Sequence, residues 1–343
     1  MATLRARNWG GVIKHTQVSA PEIGTAAPGL ARKLLSWFDS STLSVSTYVE
    51  GAEESAEKVD WARILPFVLM HLVCLSVIWV GWSPIAVITA VVFYAVRMFA
   101  VTAFYHRYFS HRSFKTSRVA QFIFGVLGAT AVQRGPVWWA AHHRHHHAHS
   151  DKPQDAHSPV QHGFIRAHMG WFLSKRGFTP DLKCVRDLMK FPELQLLDRF
   201  DILVPIVFAV AIFFVGVLLK HTAPEFGTTG WQMLVWGFFI STIACYHGTY
   251  TINSLSHVFG KQRYNTGDES RNNWLLALIT LGEGWHNNHH HYPSSCRQGF
   301  YWWEFDITYY LLKVMSWLGI IWELRAVPIS ARDHSPRRIQ RVS

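Results

Sequence analysis

Four apolar segments set the architecture open to this chain. Residues 64–82, 85–105, 202–219 and 231–252 each come close to the ~20 apolar residues that cross a bilayer core. Only Ser83-Pro84 separates the first two, and Pro224, Gly227 and Gly230 punctuate the gap between the last two. The pattern predicts an all-α integral membrane protein with four transmembrane helices in two hairpins. Basic residues orient it. Six Lys+Arg fall in residues 1–60, fourteen in 107–199 and ten in 253–343, while the two hairpin turns hold only Lys220. That asymmetry puts both termini and the long middle loop on the cytoplasmic side. Residues 122–132 are too short for a further crossing. Residues 301–322 carry Glu304, Asp306 and Lys313, which predicts an interfacial amphipathic helix instead. Arg97 lies inside the second span, where a charge either faces the bundle interior or snorkels to the interface.

Composition agrees with this frame. Charged residues make up 16% of the 343, against about a quarter in soluble proteins. The net charge of +11 then reads as inside-facing bias rather than as a nucleic-acid footprint. Cys74, Cys184, Cys245 and Cys296 form no C-x-x-C pair, which argues against a zinc-thiolate site or a disulfide framework. The first 30 residues hold no apolar h-region, so no cleaved secretory signal is expected. Three stretches follow: a polar cytoplasmic lead over 1–60 with an apolar patch at 34–38, a membrane domain over 61–328, and a basic tail over 329–343.

The 21 histidines are clustered. Box one is His106-Arg-Tyr-Phe-Ser-His111, box two lies within His142-His143-Arg144-His145-His146-His147, and box three is His286-Asn-Asn-His289-His290, with His291 next. His257 closes Asn253-Ser-Leu-Ser-His257. In the four-span topology all of them lie just inside the same membrane face. On an α-helix H-x-x-H-H gathers three imidazoles on one side. H-x-x-x-x-H does not: its members stand about 140° apart, so they serve different metals or the helix unwinds between them. One metal takes about four to six ligands, and eight or nine imidazoles therefore imply two. Neutral nitrogen ligation suits iron, copper, nickel or zinc. Hydrolytic zinc would want fewer ligands and a carboxylate base, and no H-E-x-x-H occurs. Two redox-active irons that activate O2 fit better. In box two, His142/His145/His146 and His143/His146/His147 satisfy the same spacing, and spacing does not choose between them. Isolated histidines such as His71, His221 and His334 are expected to be interfacial or solvated.

These boxes, the N-x-x-x-H element and the approach Gly282-Glu-Gly-Trp-His286 resemble the integral-membrane fatty-acyl desaturases of stearoyl-CoA (Δ9) type, over about residues 60–328. Bacterial members look most alike, through His106 to Arg118 and Trp138-Trp-Ala-Ala-His-His-Arg144. The resemblance implies four spans under a helical cytoplasmic cap, in a bacterial inner membrane. It also implies a non-haem centre of two iron ions held by His106, His111, His143, His146, His147, His257, His286, His289 and His290, with Asn253 reaching a metal through water. Family members often lack histidine at the positions of 142 and 145, which favours the second register. Asp155 and His157 match a family pattern and are expected to orient ligands. Phe104 stands where the family usually has a small residue, and is expected to approach the acyl channel.

The implied reaction is O2-dependent removal of two hydrogens from adjacent methylenes of a long-chain acyl-CoA or acyl lipid, leaving a cis double bond. Such C–H bonds have no acidity to exploit, so the protein must supply position. Arg112, Lys115, Arg118 and Arg144 are candidates for holding an anionic head group. The chain has no Cys cluster for Fe–S and no G-x-G-x-x-G, so electrons must come from an external carrier of ferredoxin, rubredoxin or cytochrome b5 type. A hydroxylase on the same scaffold and a non-enzymatic metal-binding membrane protein are the rival readings.

Overall fold

The computed structural model describes residue 35, residues 37–40 and residues 59–333. Most of the lead and the tail beyond 333 lie outside the described residues. Within the patch at 34–38, Leu35 and Phe38 are exposed.

The described chain is built mainly of helices. Helix α1 (Trp61–Cys74) and the short α2 (Val77–Val80) form the first apolar arm. Ser83 then caps α3 (Pro84–Phe99), its side chain accepting from the Ala86 N–H, with Pro84 in the first turn where no N–H is needed. Helix α3 continues without a break as a π-helix over Ala100–Ser110. The second hairpin pairs one long helix with a composite one, and both come after the cap helices in sequence. Those cap helices are α4 (Arg118–Ala129), α5 (Pro136–His149) and α6 (Pro192–Arg199). The hairpin itself is α7 (Leu203–Thr222) and a helix running from Gly230 through a π-helical Met233–Ile240 into α8 (Ser241–Ser254).

Among the described residues, two helices are long and apolar enough to cross a membrane, Pro84–Ser110 and Leu203–Thr222. The first arm is shorter, and the last carries Ser241, Thr242, Thr249 and Thr251 among its apolar residues. The two hairpin turns meet: Ser83 Oγ donates to Thr228 Oγ1 at 3.0 Å, Gln232 Nε2 to the Val80 carbonyl at 3.0 Å, and Trp236 Nε1 to the Gly81 carbonyl at 3.0 Å. Arg97 faces the bundle interior, which decides between its two expected placements. Its Nη1 donates to Ser241 Oγ and Thr242 Oγ1, each at 2.7 Å, and the guanidinium lies 4.6 Å over the Phe208 ring.

Beyond the hairpins, the cap adds α9 (Trp274–Ile279), α10 (His286–His291), α11 (Ile307–Trp317) and α12 (Ile329–Asp333). A two-stranded ribbon pairs β1 (Lys115–Thr116) antiparallel with β2 (Ile321–Trp322). The core lies where the π-helical end of α3 meets α4, α5 and α11, with Phe104, Phe109, Phe114, Phe124, Leu188 and Leu312 buried together. Gly128 makes this approach possible, since a Cβ there would sit 2.0 Å from the Tyr105 ring.

The amphipathic helix expected over 301–322 is confined to Ile307–Trp317, with Tyr310, Val314 and Trp317 exposed. Glu304 and Asp306 do not form its polar face. Both are fully buried in the cap, where Glu304 pairs with Arg263 and Asp306 with Arg107. The start of the tail packs on the cap, with Tyr264 Oη donating to the Arg332 carbonyl at 2.7 Å.

Candidate metal centre

The π-helix decides how box one works. Its i→i+5 bonding places residues five apart one above the other, and the His111 N–H donates to the His106 carbonyl at 3.2 Å. The two rings, divergent on an α-helix, end 4.9 Å apart. On α5 the ordinary helical repeat sends His143, His146 and His147 inward. His142 instead packs on Trp138 and Trp171, and His145 on His149. Helix α10 adds His286, His289 and His290, and His257 follows the end of α8.

The rings form two groups, each with ligand atoms within 4.8 Å of one another. The first is His106, His111, His143, His147 and His289; the second is His146, His257, His286 and His290. Within the first, Nε2 atoms approach to 2.7 Å between His111 and His143, 2.9 Å between His147 and His289, and 3.0 Å between His106 and His289. In the second, His257 and His286 stand 3.1 Å apart. Two nitrogens about 2.1 Å from one metal and at right angles to it would be about 3.0 Å apart. Both groups therefore fit a bound cation.

Carboxylates fix which nitrogen faces inward. His106 Nδ1 lies 2.5 Å from Glu283, His146 Nδ1 2.9 Å from Asp155, His257 Nδ1 2.8 Å from Asp151, and His290 Nδ1 2.6 Å from Asp268. Each Nδ1–H donates outward and leaves the Nε2 lone pair free. Among the described residues the Nε2 of His290 is buried without a hydrogen-bond partner, as suits a nitrogen that ligates a cation. Burial, reinforced by neighbouring rings, holds His111, His143, His147, His286 and His289 well below the usual histidine range, so they stay neutral. Burial opposes ionisation of Asp151 and Glu283 too. The pull of His257 on the one, and of His106 and Arg107 on the other, outweighs it and holds both near about 2.

Backbone strain gathers at these groups. Asp151 (φ 56°), Leu281 (φ 56°) just before Glu283, and Arg112 (φ 51°) just after His111 all sit in the left-handed region. Gly282 (φ 127°) has no room for a Cβ beside Asp306. Helix α5 is fixed from outside: Asp198 Oδ1 accepts the Val137 and Trp138 N–H groups at 3.1 and 2.8 Å. Burial pushes this carboxyl up to about 7 despite those two bonds.

Two cavities meet at the centre. A larger one of about 230 Å³ is lined by Phe67, Met70, Trp138, Trp171 and Tyr250; a smaller one of about 50 Å³ by Met98, Val101, His106, His146 and His286. Trp139, His143, Thr249 and Asn253 line both. At this junction Gln133 Nε2 donates to Thr249 Oγ1 at 3.0 Å, and Trp139 Nε1 donates to Gln133 Oε1 at 3.3 Å. Val132 (φ 59°) and Arg134 (φ 69°) hold Gln133 between two left-handed residues.

The nine expected ligands thus come together, and Asn253 stands beside them. Asp155 touches His146, and the His157 ring lies 4.3 Å from that of His146. Five expected substrate contacts stand away from these two cavities. Phe104 lines neither cavity, because it points into the cap core and stacks on Phe124 at 4.0 Å. Arg112, Lys115, Arg118 and Arg144 also line neither cavity, and each is committed to a carboxylate. Asp187 takes Arg112 (3.0 Å) and Arg144 (2.7 Å), Glu323 takes Lys115 (2.7 Å), and Glu193 takes Arg118 (2.7 Å). Arg144 also donates to the Phe109 and Ser110 carbonyls at 2.7 and 2.8 Å, tying α5 to box one. Asp151, Asp268, Glu283, Gln133, Trp139 and Thr249 were missed. Glu283 lies within the quoted approach to box three and Asp151 just beyond box two; Asp268 carries no local signal.

Comparison with known proteins agrees with this geometry. The pattern of the fatty acid desaturase family matches residues 57–315. The chain is 34% identical to the acyl-CoA 5-desaturase AL21 of Anemone leveillei, covering 80% of this chain and 84% of the relative. It is 33% identical to the chloroplastic palmitoyl-monogalactosyldiacylglycerol delta-7 desaturase of Arabidopsis thaliana, over 80% and 71%. With the sn-1 stearoyl-lipid 9-desaturase of Anabaena variabilis the identity is 32%, over 78% and 95%. Converging histidines, apolar spanning helices and a family match over most of the chain lead to one identification: it belongs to the fatty acid desaturases, as an oxidoreductase of that family.

Proposed function

We propose that the chain inserts a cis double bond, at the Δ9 position, into a long-chain acyl-CoA or acyl lipid, using a pair of irons held by the nine histidines. The observation that carries this reading is the junction of an apolar cavity with both histidine groups. The Δ9 assignment is supported by the stearoyl-lipid 9-desaturase relatives. The net conversion is –CH2–CH2– + O2 + 2 e⁻ + 2 H⁺ → –CH=CH– + 2 H2O. When bound, iron would supply the activation of O2 and the abstraction of hydrogen.

The chain's own residues supply place and dryness. Trp138, Trp171 and Tyr250 wall the acyl path and exclude water. The Gln133–Thr249–Trp139 cluster fixes the neck, so the chain length from the head group to this neck selects the bond. Asp151, Asp155, Asp268 and Glu283 hold the histidines in one tautomer. Asn253 stands where both cavities meet and is the candidate for reaching a metal through water. Electrons would arrive from a ferredoxin, rubredoxin or cytochrome b5 type carrier docking on the cap. Four crossings, with the cap and both termini cytoplasmic in a bacterial inner membrane, would place residues 61–328 as the catalytic unit.

Expression in a host lacking its own desaturase, followed by mass spectrometry of cellular fatty acids, tests the reading. Cis-Δ9 monoenes are the expected result. A hydroxylated product without a double bond, or no change in saturated chains with electron donor present, would overturn it.

A further inference from the structure

The two histidine groups stand in very different electrostatic surroundings. Behind the four-histidine group stand three carboxylates, Asp155 on His146, Asp151 on His257 and Asp268 on His290. Their remaining partners are neutral: Ser158 Oγ and the Glu269 N–H for Asp151, Thr266 and Ser270 for Asp268, and the Asp151 N–H for Asp155, whose other oxygen lies near the His157 ring. Among the described residues no lysine or arginine pairs with any of the three. The five-histidine group has one carboxylate at ion-pair distance of its rings, Glu283 on His106. Arg107 offsets only part of that charge, since its Nη2 lies 3.0 Å from Glu283 and 2.9 Å from Asp306, and the three groups together keep one net negative charge. Among the described residues each group also has one buried Nδ1 without a hydrogen-bond partner, His289 here and His286 in the four-histidine group.

We propose that the two metal positions are unequal, the four-histidine pocket binding its cation more tightly and retaining it when the five-histidine pocket has lost its own. The inference rests on the reading of both groups as metal sites. Carboxylates behind imidazole ligands raise ligand basicity and lock ring orientation, each being worth about 10–100-fold in affinity. Three carboxylates with no basic partner also attract a dication more strongly than the single net negative charge of the Glu283–Arg107–Asp306 cluster. The fifth imidazole of the other group works against this ranking, but its rings are less firmly oriented. Asp151, Asp155 and Asp268 are thus positioning residues for one metal, and Glu283 for the other.

The test is a chelator titration of the purified, iron-loaded protein in detergent, with the iron remaining per chain counted by elemental mass spectrometry. The wild-type protein should pass through a plateau of one iron per chain. Asp268→Asn and Asp155→Asn should each shift loss of the retained iron to about 10–100-fold lower chelator, shortening or erasing the plateau. Glu283→Gln should leave the retained iron in place and release the other earlier. Circular dichroism of each variant separates these shifts from unfolding, and a variant that unfolds is replaced by Asp151→Asn. Loss of both irons in one step, or a plateau erased by Glu283→Gln and untouched by the aspartate variants, would overturn the inference. A protein that shows the plateau but makes no double bond would retain the inference and sink the proposed reaction. A protein that binds no iron under any loading would sink both.

Discussion

Box one and box two solve one problem by opposite means. Box one sits on a π-helical stretch, Ala100–Ser110, whose irregular repeat brings two histidines five residues apart into one group. Box two sits on the α-helix Pro136–His149, whose regular repeat divides its ligands, His143 and His147 going to one group and His146 to the other. The first therefore depends on local backbone geometry. The second depends on how a rigid rod is aimed, and the aim comes from outside, through Asp198 at its start and Arg144 beside Asp187. A regular element can serve two metals at once; an irregular one concentrates on a single metal.

The comparison breaks most completely at His289, whose Nε2 meets both His106 of box one and His147 of box two. His289→Ala should lower desaturation more than 100-fold and cost about one iron per chain, read by product analysis and elemental mass spectrometry. Next in size, Gly128→Leu drives a side chain into the Tyr105 ring beneath box one. A loss of about 2–4 kcal/mol in thermal or denaturant unfolding is expected, with disordered iron spectra. Arg144→Met removes the clamp between the boxes and leaves Asp187 with only Arg112. About 1–3 kcal/mol of stability should go, with iron released more readily from both groups.

Smallest, at a pH where the carboxyl is protonated, are the effects of the Asp198 variants. Asp198→Ala removes acceptors from two N–H groups at the start of α5 and should cost about 1 kcal/mol. Asp198→Asn keeps an acceptor and should cost less. Because burial raises the folded-state value of Asp198 to about 7, the folded protein binds more protons than the unfolded chain between about pH 4 and 7. Stability should therefore fall as pH rises through that window and level off above it, by up to about 1.4 kcal/mol per pH unit from this group. Unfolding curves of Asp198→Asn should lose that slope.

Much of this was legible in the sequence because the determinants are local. Apolar runs of spanning length mark the helices, and three histidine boxes mark the ligands. The unwinding of box one was one of two outcomes the H-x-x-x-x-H spacing allowed, though nothing in its residues picks the π-helix. Spacing left the register of box two open and only the resemblance favoured His143, His146 and His147; in the structure His142 packs on Trp138 and Trp171 instead. Ion pairing was hidden for a related reason: Arg112 and Arg118 look free in sequence, but their partners Asp187 and Glu193 lie 75 residues away. Asp268 was invisible because it reaches His290 from an irregular loop. That Phe104 would stack on Phe124 was not legible either, because position along a helix does not say which neighbour covers it.

The most direct test of the account is an anomalous difference map at the iron edge from crystals of the iron-loaded protein. Two peaks are expected, one among His106, His111, His143, His147 and His289, the other among His146, His257, His286 and His290. A single peak, or iron held by His142 or His145, would contradict it.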